Sequence, residues 1–125
     1  MKRIIIIDDE IDLFPLIKIK FKKEINKKEI KINFFDSALE ALSFYKENPE
    51  VEFELIISEV TMPDYSGLTL FDDIKNINAD QKFYICGAEN DIVEARWVLG
   101  EKVNGYITKP LDFSYLAELF LGRIF

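Results

Sequence analysis

The sequence predicts an α/β fold in which an open, five-stranded parallel sheet is wound with helices on both faces. Three observations carry this. Five short apolar runs alternate with five segments of helical periodicity, and the connections between them are of ordinary length. The first run, Lys2 to Ile7, holds four consecutive isoleucines with no alternation, as a strand buried on both faces requires.

The elements follow in order. After Lys2–Ile7, the residues Leu13, Leu16, Ile17, Phe21 and Ile25 recur at helical spacing, which predicts one helix from Asp12 to about Asn26. Pro15 is tolerable there because it falls in the first turn. Glu29 to Phe35 is the second strand. Ser37, with Glu40 three residues on, is a capping-box signature that opens a helix running to about Asn48-Pro49. Phe53 to Ser58 is the third strand, and Leu68 to Ile77 the helix after a loop with Met62-Pro63 and Gly67. Lys82 to Cys86, Asn90 to Gly100, Gly105 to Thr108, and a helix capped by Asp112 and reaching about Arg123 complete the alternation. Right-handed crossovers make such a sheet doubly wound, with its ligand crevice beyond the carboxyl ends of the strands.

Composition narrows the function. The 125 residues, 49% apolar and 31% charged, suit one globular domain over 1–125, able to bury roughly 65% of its unfolded surface. With one cysteine, Cys86, and no histidine, disulfide frameworks, His-containing zinc sites and Ser/His/Asp or Cys/His catalysis are excluded. No apolar run approaches the ~20 residues of a membrane span, and the isoleucines before Asp8 are too few for a signal peptide, so the cytoplasm is the expected compartment. The net charge of −7 argues against direct nucleic-acid contact. It is unevenly spread: up to Lys31 there are nine basic against six acidic residues, seven of them lysines between Lys18 and Lys31. That run reads as a solvated helix face, or as a dock for an acidic partner.

Just past the strands stand Asp8, Asp9 and Glu10, then Glu59, then Gly87 and Ala88, then Lys109. Asp8, Asp9 and Glu59 carry three negative charges against one positive on Lys109. Crowded carboxylates repel, so this cluster needs a cation or raised pKa values, and Mg²⁺ suits such a set of hard oxygens. Each residue alone has a plainer reading, as a helix cap or a turn. Their convergence marks a site.

Three segments, IIIIDDE (Ile4 to Glu10), ELIISEVTMPDYSG (Glu54 to Gly67) and GYITKP (Gly105 to Pro110), in this order and spacing, resemble the receiver domain of two-component response regulators. The resemblance covers essentially the whole chain. It implies the CheY-like, flavodoxin-like (βα)5 three-layer sandwich with strand order 2-1-3-4-5, and a role in phosphorelay signal transduction. It also implies Mg²⁺ held by Asp8, Asp9, Glu59 and the backbone carbonyl of Thr61, Lys109 pairing with phosphoryl oxygens, and Tyr106 as the aromatic switch residue.

Two positions depart from the family pattern. The phospho-accepting aspartate falls at Glu59, and the switch Ser/Thr at Gly87. Glutamate's additional carbon–carbon bond of about 1.5 Å puts its carboxylate where an incoming phosphoryl group belongs, a misplacement that can cost on the order of a hundredfold in rate. The longer side chain reaches toward Lys109 instead and can stand in for the phosphoryl group. Gly87 lacks the hydroxyl that would bind a phosphoryl oxygen, so hydroxyl-coupled movement of Tyr106 should be reduced or absent. The expected protein is therefore a pseudo-receiver, not an enzyme, with Mg²⁺ binding weakened or lost. As substitute acceptors, Ser58 inside a strand and Asp64 in a turn are poor choices.

The expected partners are a sensor kinase or an output domain or protein, or a second copy docked through the last two helices and the fifth strand. Trp97, Tyr106, Tyr115 and Phe120 are the interface candidates on those elements, unless they simply complete the core. The alternatives are a structural or oligomerising domain with a vestigial Mg-phosphate pocket, and a small phosphatase. The phosphatase pattern wants a second aspartate two positions after the first, where this chain has Glu10.

Overall fold

The computed structural model describes residues 1–122. Among them, strands β1 (Lys2–Ile7), β2 (Ile30–Phe35), β3 (Leu55–Glu59), β4 (Phe83–Gly87) and β5 (Gly105–Thr108) form one parallel sheet in the order β2-β1-β3-β4-β5. The helices are α1 (Leu13–Lys20), α2 (Lys22–Asn26), α3 (Ala38–Glu47), α4 (Gly67–Ile77), α5 (Glu89–Leu99) and α6 (Phe113–Leu121). This is the doubly wound sheet that the alternation predicts, in the flavodoxin-like strand order that the family resemblance implies. No helix among the described residues is long and apolar enough to cross a membrane.

The unbroken apolar run of β1 is explained by its place inside the sheet. Ile5 and Ile7 enter one core with Ile56, Ile85 and the inner faces of α3, α4 and α5. Ile4 and Ile6 enter the other, with Ile17, Phe21, Leu116 and Phe120 from the helices on the opposite face. Burying each such side chain contributes about 1.5–3 kcal/mol, so β1 alone anchors both layers.

The helix expected from Asp12 to Asn26 is two helices. The chain turns at Phe21, where φ is −107° and ψ 19°, as its ring goes inward to lie 4.9 Å from Phe120. Periodicity hides this break because Ile17, Phe21 and Ile25 stay in helical phase across it, and Ile25 still donates to the Phe21 carbonyl at 2.9 Å. Elsewhere boundaries move by one or two residues. Ser37 accepts from the Glu40 N–H at 3.2 Å, and Asp112 from the Ser114 N–H at 2.9 Å, so both expected caps form. Gly122, with φ +67°, ends α6 sooner than the expected Arg123, which lies outside the described residues.

The extra residue at the end of β3 matters for function. Glu59 and Gly87 are the last residues of β3 and β4, not the first beyond them. Glu59 pairs in register with Cys86, and Val60 donates to the Cys86 carbonyl at 2.8 Å. The position of the Glu59 side chain is thus set by the sheet rather than by a loop.

Candidate functional site: a lysine-bridged carboxylate cluster

Lys109 follows β5, and its backbone N–H donates to the Gly87 carbonyl at 2.9 Å, which aims the side chain across the strand ends. The ammonium lies 2.9 Å from Asp8 Oδ2, 2.9 Å from Glu59 Oε2 and 2.8 Å from Glu10 Oε1. Asp8, Glu59 and Lys109, distant in the chain, therefore meet as the strand ends require. Asp8 and Glu59 are buried, Lys109 nearly so, and Glu10 is exposed.

The turn after β1 decides which of its acids enters. Asp8 Oδ1 accepts from the Glu10 N–H at 2.9 Å, folding the chain so that Glu10 turns toward Lys109 while Asp9 stays exposed. Nothing in the sequence ranks Glu10 above Asp9; the signal is only that three acids follow the strand. Among the described residues, the group whose metal-ligating atoms lie within 4.8 Å of one another is Asp8, Glu59 and Cys86, without Asp9.

Glu59 Oε1 accepts from the Thr61 hydroxyl at 3.2 Å, and Oε2 has the Lys109 ammonium as an ionic contact with no hydrogen bond. Burial raises the Glu59 and Asp8 carboxyls above their ordinary values, and Lys109 offsets part of that rise. For Lys109, burial acts downward, but the close contacts with the Glu10, Asp8 and Glu59 carboxylates outweigh it and hold the ammonium protonated. Burial, reinforced by the Glu59 charge, pushes the Cys86 thiol up to about 12. Cys86 therefore remains an inert thiol.

Two glycines shape the site by leaving room. A Cβ on Gly67 would stand 2.4 Å from the Glu59 carbonyl oxygen, so only glycine lets α4 begin against the end of β3. A Cβ on Gly87 would stand 2.9 Å from Val60 Cγ1 and 3.2 Å from Glu59 Oε1. The two departures noted in the sequence are thus neighbours in space: the longer acid at 59 lies over the missing side chain at 87.

The remaining candidates separate. Ser58 is fully buried and its hydroxyl bonds to the Glu59 backbone at 3.1 Å. Asp64 accepts from the Ser37 hydroxyl at 2.8 Å and the Leu39 N–H at 3.3 Å, which makes it a clamp on the start of α3. Tyr106 is half-buried, with its hydroxyl donating to the Gly100 carbonyl at 2.6 Å and the Arg96 guanidinium 4.8 Å over its ring. Trp97 is 87% exposed and Tyr115 half-buried. Phe120 is a correction: at 0% exposure it faces Phe21 inside the core and offers no surface to a partner.

The sequence model of the response regulator receiver domain matches residues 4–120. The chain belongs to this family. It is 29% identical over 122 residues to an uncharacterized response regulatory protein of Staphylococcus epidermidis, covering 95% of this chain and 45% of that protein. It is 33% identical over 66 residues to the DNA-binding transcriptional regulator NtrC of Azospirillum brasilense, covering 53% of this chain and 14% of that protein. The chain thus spans less than half the length of these curated relatives. In structure it is similar to a response regulator receiver domain protein of Clostridium thermocellum, with a TM-score of 0.82, 23% identity, and coverage of 98% and 93% of the two chains. A two-component response regulator of Clostridium difficile gives a TM-score of 0.73 at 23% identity, covering 98% of each chain. At these identities the likeness is one of fold. The receiver domain is a module of two-component signalling, and such domains are generally signalling modules rather than enzymes.

Receiver domains typically bind Mg²⁺ through acidic residues, and an acidic cluster is present here. The cluster as arranged does not suit that ion. Mg²⁺ needs near-octahedral oxygen ligands, whereas the third member of the group is a protonated thiol, Asp9 lies outside it, and the Lys109 ammonium already bridges Asp8 and Glu59.

Proposed function

We propose that this chain is a pseudo-receiver, in which Glu59 occupies the place of the phospho-accepting aspartate and the protein signals by protein–protein interaction without phosphate. The observation that carries this reading is the 2.9 Å contact between Glu59 Oε2 and Lys109 Nζ at a buried strand end. By family resemblance, Lys109 is the group that meets phosphoryl oxygens, and here a carboxylate of the chain itself already meets it. The charge that a phosphoryl group would bring is supplied in advance, so the domain is biased toward one state. Mg²⁺ binding is weak or lost, because the ammonium does the neutralising.

Gly87 offers no hydroxyl to couple the site to Tyr106, and Tyr106 is tethered at its far end to Gly100 and Arg96. A partner is therefore met by a standing surface that includes Trp97 of α5 and Tyr106 of β5, while Tyr115 of α6 packs on the other side of the sheet. A sensor kinase, an output domain or protein, or a second copy on α5, β5 and α6 are the partners that suit this face. Residues 1–125 act as one receiver unit in the cytoplasm, with no direct nucleic-acid contact of their own.

The test is incubation with Mg²⁺ and acetyl phosphate followed by intact-mass measurement. The reading expects an unchanged mass. An increase of about 80 Da, the mass of one phosphoryl group, that disappears in Glu59→Gln would overturn it.

A further inference from the structure

A second concavity is remote from the carboxylate cluster. It is a groove of about 730 Å³ between α1–α2 and the outer face of β2, the edge strand of the sheet. Its floor is apolar: Ile19, Ile25, Ile32 and Phe34, with Ile19 71% exposed and the others half-buried. It lies where α1 gives way to α2 at Phe21: α2 packs against β2, with Ile25 on the same core as Ile30, while Ile19 of α1 stays exposed.

The groove has a charge pattern as well as a floor. Lys18 and Lys22 stand on the helical wall, Lys28 in the turn that leads into β2 and Lys31 on β2 itself, and no acidic side chain is among the described residues that line it. This is the reverse of the chain's own balance of −7. The Lys18 ammonium even lies 5.3 Å over the Phe34 ring, holding a positive charge above the apolar floor.

We propose that this groove docks an acidic amphipathic helix of a partner protein, its apolar stripe on the floor and its acidic flanks against the two lysine walls. Charge complementarity selects this occupant. A single-headed anionic amphiphile would need positive charge at one end of the groove, whereas lysines along both walls match an apolar stripe with acids on either side. The site makes no use of Glu59, so it stands or falls independently of the pseudo-receiver reading.

The probe is a synthetic helix of about 14 residues, with leucines at i, i+3, i+4 and i+7 and glutamates flanking them, titrated into the isotope-labelled chain. The expected result is a saturable set of amide shifts confined to Ile19, Ile25, Ile32, Phe34 and their neighbours. The exposed double substitution Lys18→Glu with Lys31→Glu should weaken binding by roughly tenfold or more while leaving the far-UV circular dichroism spectrum unchanged, and a probe with lysines in place of the glutamates should not bind. Absence of saturable shifts, or equal affinity in the double variant, overturns the proposal. So does binding to anionic phospholipid vesicles but not to the peptide, which would make the groove a membrane contact. A dimer seen by sedimentation without peptide and dissolved by the double variant would assign the groove to a second copy, and would equally overturn it.

Discussion

Replacing Lys109 with methionine keeps an unbranched apolar stem and removes the ammonium that touches three carboxylates. Glu10 is exposed, and losing that pair should cost under about 1 kcal/mol. Asp8 and Glu59 are different, with side chains 5% and 7% exposed. Removing the partner of a buried charge costs about 3–5 kcal/mol. The protein can escape by taking up a proton, but neutralising a carboxyl of ordinary pKa ~4 at pH 7 costs about 4 kcal/mol, so both routes give a similar loss.

The sign of the pH dependence follows. With the ammonium gone, the folded-state carboxyl pKa values rise still further above their unfolded values, so the folded variant binds more protons than the unfolded one. Its stability must then fall as pH rises above the unfolded pKa, and the deficit relative to the parent should shrink from about 4 kcal/mol near pH 7 to about 1–2 near pH 5. Urea unfolding followed by far-UV circular dichroism measures both. At about 2.1 cal/mol/K per residue, the neutral-pH loss corresponds to a Tm lower by roughly 15 °C. A loss below about 1 kcal/mol near pH 7, or one that does not change between the two pH values, would refute the bridging role of Lys109.

Gly87→Ala should destabilise by about 1–3 kcal/mol through the crowding of Val60 and Glu59 Oε1, and Glu59→Ala should relieve at least about 0.5 kcal/mol of that in a double-mutant cycle by denaturation. Cys86, buried with its thiol pushed up to about 12, should resist a thiol reagent in mildly alkaline native buffer and react fully in urea, as followed by absorbance. Trp97, 87% exposed, should be quenched by iodide nearly as readily as a free indole, and a partner that covers α5 should protect it.

Much of the fold was legible because β1 has one physical solution: four isoleucines in succession can be buried only in a central strand covered on both sides. β5, at Gly105–Thr108, falls where the apolar run between Asn104 and Lys109 places it. The break at Phe21 was illegible because it preserves hydrophobic phase; it depends on a ring from α6, which no local pattern reports. In the site, Asp8, Glu59 and Lys109 follow from strand-end logic, but the exchange of Asp9 for Glu10 is decided by one backbone hydrogen bond in a turn. The contact of Glu59 with Gly87 was illegible, since two departures 28 positions apart on different strands do not show in sequence that they share one volume.

The account rests on Lys109 serving as the cation of the cluster. A crystal structure grown in excess Mg²⁺ tests this most directly. The account predicts Nζ still within about 3 Å of both Asp8 and Glu59, with no ion between them. A Mg²⁺ ion bridging those carboxylates, with the lysine displaced, would contradict it.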